Sequence, residues 1–396
     1  MESTSNYWIN LYDLLEENNI TPYLVNARHV KGVPGKKTDV CDAQWLQQLH
    51  AAGLLKKSYR PTQQILPIRY MMRFRDDLVK QSATAILHMH KILTEMNIQL
   101  HHVISDTDGV SGQAIIRAII QGEKDPKVLA ELRDRRCTKS SKDTVIEALR
   151  GNYRSEYIHV LKLLQQQYDQ IREHLGELDA QIAQQLKALQ TDAIQRPVAP
   201  LKLSGESPKK PKRQQMGKNA LAYEHSEESR RLYGTDLLQI EGIGAGAIST
   251  LISEIGTREE LLAAFARSES FTAWLGLCPC NEISGGKVLK RGTRKNQNRL
   301  AAALRLSAFG VQQSKSKMGE YCRRMKGRLG KAEGITATAH KLARIIHAMI
   351  KTCTDYNEED AFKINPGNER KKLKTLAKLA EKNGFKLVPV LDTATS

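Results

Sequence analysis

Two short stretches carry the residues that could do chemistry. The first is GKKTDVCDA at residues 35–43, where Asp39 and Asp42 stand three apart behind two lysines. If they open a helix, one turn of spacing puts both on one face, where like charges repel unless something positive lies between them. A metal ion is one such thing. The second is NEISGGKVLKRGTRKNQNR at residues 281–299, where Ser284 precedes two glycines and then Lys287, Lys290, Arg291, Arg294, Lys295 and Arg299. A serine hydroxyl is a poor nucleophile until it loses its proton and its target is made electrophilic, and a ring of cations around a phosphodiester supplies the second condition. As an isolated pattern SGGK reads as a turn, and the basic surroundings shift it toward function.

Those surroundings are pronounced. The chain of 396 residues carries a net charge of +18, and residues 281–350 hold sixteen Lys or Arg against three Glu, a net +13. Arg323, Arg324, Lys326, Arg328, Lys341 and Arg344 extend the cationic set, and a surface of this sign attracts polyanions. We read it as a nucleic-acid-binding region, with ordinary solvated faces as the plainer alternative.

The elements that must position these residues are mostly helices. NYWINLYDLLEENN has Trp8, Ile9, Leu11, Leu14 and Leu15 on helical spacing, TPYLVN is a short β-like run, and DVCDAQWLQQLHAAGLL is a second helix. The Gly/Pro loop VKGVPGKKT delivers Asp39 to the start of that helix. A long helix is predicted from Pro61 to about Leu100, with Leu78, Ile86, Leu87 and Leu93 among its apolar positions. Leu161, Leu164, Tyr168, Ile171, Leu175, Leu178, Ile182, Leu186 and Leu189 then follow at spacings of three or four, the seam of a coiled coil. Its partner is either the earlier helix of the same chain or another subunit. QIEGIGAGA reads as helix, glycine turn, helix, with Gly242, Gly244 and Gly246 able to bring backbone N–H groups to a phosphate or simply to make a hairpin. In KAEGITATAHKLARIIHAMI, Ile335, Ala339, Leu342, Ile346 and Met349 face inward and leave Lys341 and Arg344 available.

The expected fold is mostly α with a partial α/β N-terminal domain. Its predicted divisions are 1–60, a helical coiled-coil region 61–190, a basic linker 191–225 that includes PKKPKR, a C-terminal domain 226–356 with a helix-hairpin-helix-like segment, and a basic tail 357–396. No apolar run is long enough to span a membrane and MESTSNYW lacks signal-peptide regions, so no membrane partner and a cytoplasmic, nucleoid-associated location are expected. Cys278 and Cys280 have no second pair to complete a zinc site, and the six cysteines read as reduced thiols.

In this order GKKTDVCDA, DTDGVSG with QGEKDP, QIEGIGAGA with SEIG, WLGLCP, ISGGK and AHKLARI resemble the DEDD-type insertion-sequence transposases, from Met1 to about Ile350. These are RNA-guided recombinases that join a RuvC-type, RNase H-like domain to a C-terminal domain with a nucleophilic serine. The resemblance implies DNA strand cleavage and exchange. Asp39 and Asp42 would match the last two of four acids holding Mg²⁺ (or Mn²⁺), Glu2 would match the glutamate, and Ser284 the serine that forms a phosphoserine link to DNA. It also implies donor and target DNA, a guide RNA from the element, and a homodimer or tetramer with composite sites.

The family's first aspartate lies on an opening strand before the glutamate, and this chain starts at Met1. A truncated RuvC-type domain without its first strands is therefore expected, with a poorly supported TPYLVN strand. An internal start assignment or a true truncation would explain it. A true truncation would leave a catalytically inactive coiled-coil protein that binds DNA or RNA.

Overall fold

The computed structural model describes residues 1–3, 5–27, 39–134, 136, 140–191, 219, 221, 223–290, 292–294, 297–362, 376–377, 380–381 and 383–385, without the side chains of 39–42, 282–283, 288 and 290. Among these the chain is mostly helical, with one two-stranded sheet. Backbone contacts divide it into two compact units, Met1–Thr62 and Gln63–Ser396. The linker read at 191–225 falls mainly on residues outside the described set, and the basic tail largely does.

In the first unit, helix α1 (Trp8–Glu17) and helix α2 (Asp39–Ala51) accompany three short extended segments. Val25 pairs in parallel with Glu2 and antiparallel with Lys57. The Val25 N–H donates to the Met1 carbonyl at 2.9 Å, the Ser3 N–H to Val25 at 2.9 Å and the Ser58 N–H to Leu24 at 2.7 Å. The TPYLVN segment is thus bridged at Val25 on both sides without forming a strand. The inward face of α1 matches the predicted set only in part, with Trp8, Ile9 and Leu15 half-buried. Tyr12 is buried whereas Leu11 and Leu14 are half exposed. The reason is Arg60, whose side chain is 7% exposed and lies over the rings of Tyr12 at 4.1 Å and Trp8 at 5.6 Å while pairing with Asp13 and Glu16. A buried guanidinium needs such partners, and they turn the aromatic face inward.

The second unit begins with α3 (Leu66–Glu95), whose Pro67 sits in the first turn where a missing N–H costs nothing. Helices α4 (Leu100–Val103), α5 (Val110–Ile120), α6 (Pro126–Glu131) and α7 (Lys142–Ala148) lead to the 34-residue α8 (Ser155–Ala188). Here α8 runs antiparallel to α3. Arg75 pairs with Asp179, Leu78 packs with Ile171 and Leu175, and Met89 and Leu93 share a core with Leu161 and Tyr168. The seam therefore finds its partner inside the chain, and every one of its nine positions is buried or half-buried. Of the apolar positions predicted on α3, Leu87 is the exception: it faces outward, 64% exposed. The far end of this helical hairpin is closed by α5, α6 and α7 through Ile115, Ile119, Leu129 and Val145.

The C-terminal part of this unit comprises α9 (His225–Tyr233), α10 (Ala245–Glu254), α11 (Arg258–Ala264), α12 (Ser268–Trp274), strands β1 (Glu282–Ser284) and β2 (Lys287–Lys290), α13 (Arg299–Gly310), α14 (Lys317–Leu329), α15 (Lys331–Thr352) and α16 (Glu358–Ala361). Several starts are signalled in the sequence. Thr257 and Glu260 form a reciprocal capping box on α11, and Asn298 and Ser316 cap α13 and α14. The helix expected before the glycine turn is a short 3-10 turn, Leu237–Gln239. Glu254 of α10 is buried and accepts hydrogen bonds from Arg73 of α3 at 2.9 Å, with Arg69 at 3.2 Å, so the base of the long hairpin is tied to this part of the unit.

Candidate functional site

Ser284 ends β1 at the tip of an antiparallel hairpin whose only turn residues are Gly285 and Gly286. Both have positive φ, 54° and 76°, the signature of a type I′ turn, which matches the twist of paired strands and which glycine adopts without strain. A Cβ at either position would meet nothing within 4 Å, so Ser284 stands exposed beside open space. The register pairs Ser284 with Lys287 and Ile283 with Val288, with an irregularity between Glu282 and Ile283. Directly paired residues in such a ladder project side chains to the same face, ~5 Å apart at Cβ. By sequence alone the lysine is one cation among many. The signal of its special position is the pair of glycines between β-forming residues.

The neck of the hairpin gives the CPC stretch a place. Pro279 bridges Thr293, the Cys280 N–H donates to the Gly292 carbonyl at 2.7 Å, and the Cys278 thiol donates to the Thr272 hydroxyl at 3.2 Å. The loop is anchored to α12 by this bond and runs into α13 on its other side.

The predicted cations separate into groups. Lys287 and Arg294 are exposed, whereas Arg291, Lys295 and the side chain of Lys290 lie outside the described residues. Arg299 at the start of α13 is 2.6 Å from Asp76 of α3, and Arg344 is 3.5 Å from Glu269. On α14, Arg323 donates to the carbonyls of Gln312 and Ser314, Lys326 to the Gln312 side chain at 2.6 Å, and Arg324 lies over the Tyr321 ring at 5.5 Å. Arg328, also exposed, approaches the Met325 sulfur. These side chains keep exposed parts of their donor sets, but much of the +13 charge also braces the fold.

Lys341 departs from the expectation that it is available. Its ammonium donates to the Ala361 carbonyl and lies 5.1 Å from the Phe362 ring. Burial, with Arg344 nearby, holds its pKa below the usual lysine value. His340 beside it is likewise held below the usual imidazole value, first by burial and then by Arg344.

The glycine turn also divides. Gly242, at φ 88°, is packed so closely that a Cβ would stand 2.2 Å from Val311, which commits it to the turn. Gly244 caps α10 and Gly246 lies in its first turn, both facing open space. The N–H groups of a first helical turn have no intrahelical acceptor, and their partial positive charge suits a phosphate. Glu241 stands next to this turn and accepts a hydrogen bond from Ser314 at 2.8 Å.

Of the acidic residues, Glu2 lies in the parallel pairing with Val25, and Asp39 is the first residue of α2 with Asp42 one turn on. Their helical spacing is as expected, but the carboxylates of Asp39 and Asp42 lie outside the described set. Among the described residues no three His, Cys, Asp or Glu gather in a metal-binding group, and no helix is long and apolar enough to cross a membrane.

Comparison with known families gives two matches. Residues 1–98 match a family model described as a transposase, of the DEDD type found in IS110 elements, and residues 234–323 match a model described as the transposase IS116/IS110/IS902 family. No curated protein matches the chain.

Proposed function

From the IS110-type transposase that the two matched segments support, we propose a specific mechanism: DNA strand cleavage and exchange in which Ser284 is the nucleophile. The observation that carries this reading is the hairpin tip, an exposed serine flanked by open glycines and paired with a lysine. Ser284 Oγ attacks a backbone phosphorus, forming an O–P bond as one bridging P–O bond breaks. The serine proton passes to a base, and the leaving oxygen is protonated to a free hydroxyl. The phosphoserine link conserves the energy of the broken ester for the strand exchange that follows. Exposed cations such as Lys287, Arg294 and Arg324 hold phosphates without reading sequence.

Glu2, Asp39 and Asp42 are hard oxygen donors of the kind that Mg²⁺ or Mn²⁺ takes, so the donor chemistry fits a divalent ion. When bound, such an ion supplies Lewis-acid stabilisation of charge on phosphoryl oxygens. With Asp39 at the start of α2, positions 39 and 42 share one face of that helix. Guidance by an RNA of the element, and assembly of two or four subunits with composite sites, complete the proposed reading.

The test uses purified full chain, Mg²⁺, the element's RNA and labelled donor duplex, and detects label that survives denaturing electrophoresis. The expected result is a covalent band that Ser284→Ala removes while duplex binding persists. A band of unchanged intensity in the variant sinks the serine assignment, and binding with no band in the unaltered chain favours a nucleic-acid-binding protein without chemistry.

A further inference from the structure

The pairing of Ser284 with Lys287 carries more than a general phosphate contact, provided that Ser284 is the nucleophile as proposed. In a two-residue hairpin the residues flanking the turn are locked opposite each other, because the backbone twist of a type I′ turn leaves the register no freedom. The positive φ of both Gly285 and Gly286 fixes this geometry independently of the side chains. The two side chains leave the ladder on one face. Both residues are exposed, and among the described residues no carboxylate forms an ion pair with Lys287. That distinguishes it from Arg299 and Arg344, whose charges face Asp76 and Glu269.

From this geometry we infer that Lys287 is a catalytic residue of the strand-cleavage step, its ammonium donating to a non-bridging oxygen of the phosphate that Ser284 attacks. As Oγ bonds to phosphorus, negative charge grows on the non-bridging oxygens. A donor already placed beside the nucleophile stabilises that charge with little reorganisation. The lysine remains protonated throughout. The serine proton leaves to another acceptor, and the electron pair of the broken P–O bond stays on the departing oxygen. A four-carbon stem lets the ammonium track the phosphate as it changes shape, while the backbone pairing keeps its root fixed. A cation elsewhere in the segment, such as Arg294, lacks this fixed relation to the hydroxyl and serves binding alone.

The experiment measures the rate of covalent linkage to labelled donor duplex, with Mg²⁺ and the element's RNA, at saturating duplex, alongside duplex affinity. Lys287→Ala is expected to lower the saturated rate by ~10²–10³-fold, while affinity falls by less than about tenfold, the loss of a single phosphate contact. Lys287→Arg restores part of the rate, and Arg294→Ala lowers affinity more than it lowers the saturated rate. Thermal melting of each variant checks that the fold is retained, as it should be for a side chain exposed on a small hairpin. If saturating duplex returns Lys287→Ala to the unaltered rate, the lysine is only an anchor and the inference is overturned. A failure of the serine mechanism is separately visible: Ser284→Ala would still become linked, or the unaltered chain would not, and either result removes the role of Lys287 with it.

Discussion

At the scale of single residues, the glycines are where sequence and geometry meet most directly. Gly285 and Gly286 have open space around them, so a substitution there acts through backbone strain rather than collision. Gly285→Val is expected to cost ~1–2 kcal/mol at the hairpin, and to suppress covalent linkage to DNA with little change in the melting temperature of the whole chain. Gly285→Asn should retain more activity, because asparagine tolerates the left-handed region. Equal activity in the valine and asparagine variants would argue against a required type I′ turn. Gly242 makes the opposite case: its φ is 88° and a Cβ would collide with Val311, so Gly242→Ala should lower global stability by roughly 1–3 kcal/mol in a denaturant titration. Both glycine clusters are legible as turns from sequence. That Gly242 alone is packed while its neighbours Gly244 and Gly246 are open is not, because that depends on Val311, 69 positions away in a different element.

At the scale of elements, the nine-residue seam is legible to the residue, since a three-four spacing fixes which stripe of a helix must be buried. Its partner is not legible, because an apolar stripe fits any other apolar stripe. The specifying contact is polar: Arg75, with its side chain 9% exposed, faces Asp179 at 2.5 and 3.0 Å. Asp179→Ala leaves a buried guanidinium without its counter-charge and should cost ~3–5 kcal/mol, whereas Arg75→Met with Asp179→Leu should recover most of that. Urea midpoints of the single and double variants measure the difference. A loss below about 1 kcal/mol for Asp179→Ala would mean that apolar packing alone sets the pairing. The inward face of α1 is only partly legible for a related reason: Leu11 and Leu14 mark one face, and an arginine 48 residues after Tyr12 claims the aromatic one. Arg60→Ala should accordingly speed amide exchange within residues 1–62, and unchanged exchange there would remove Arg60 as the organiser of that unit.

At the scale of the whole molecule, the candidate site is legible as residue types in order, while the bracing of its cations is not. Arg299, Arg344 and Lys341 meet partners that come from distant elements. Titration adds a global consequence. His90, His225 and His340 all have pKa values held below 6.5, each chiefly by burial. Their unfolded forms therefore bind protons more readily, so their contribution to the stability of the second unit is full above about pH 6.5 and is lost as pH falls through that value toward the folded pKa values. A urea midpoint that drops between about pH 7.5 and 5.5, with a shallower drop in His225→Asn, is the expected outcome; a midpoint that is flat over this range would count against it. The helical hairpin has a further consequence in time. Arg75 and Asp179 are separated by 104 positions, so during synthesis at ~5–20 residues per second α3 leaves the ribosome roughly 5–20 s before its partner does. Through that interval Leu78 lacks Ile171 and Leu175, and Met89 and Leu93 lack Leu161 and Tyr168, so part of the stripe stays uncovered, which makes the newborn chain a natural client for chaperones and ties slower translation to greater aggregation.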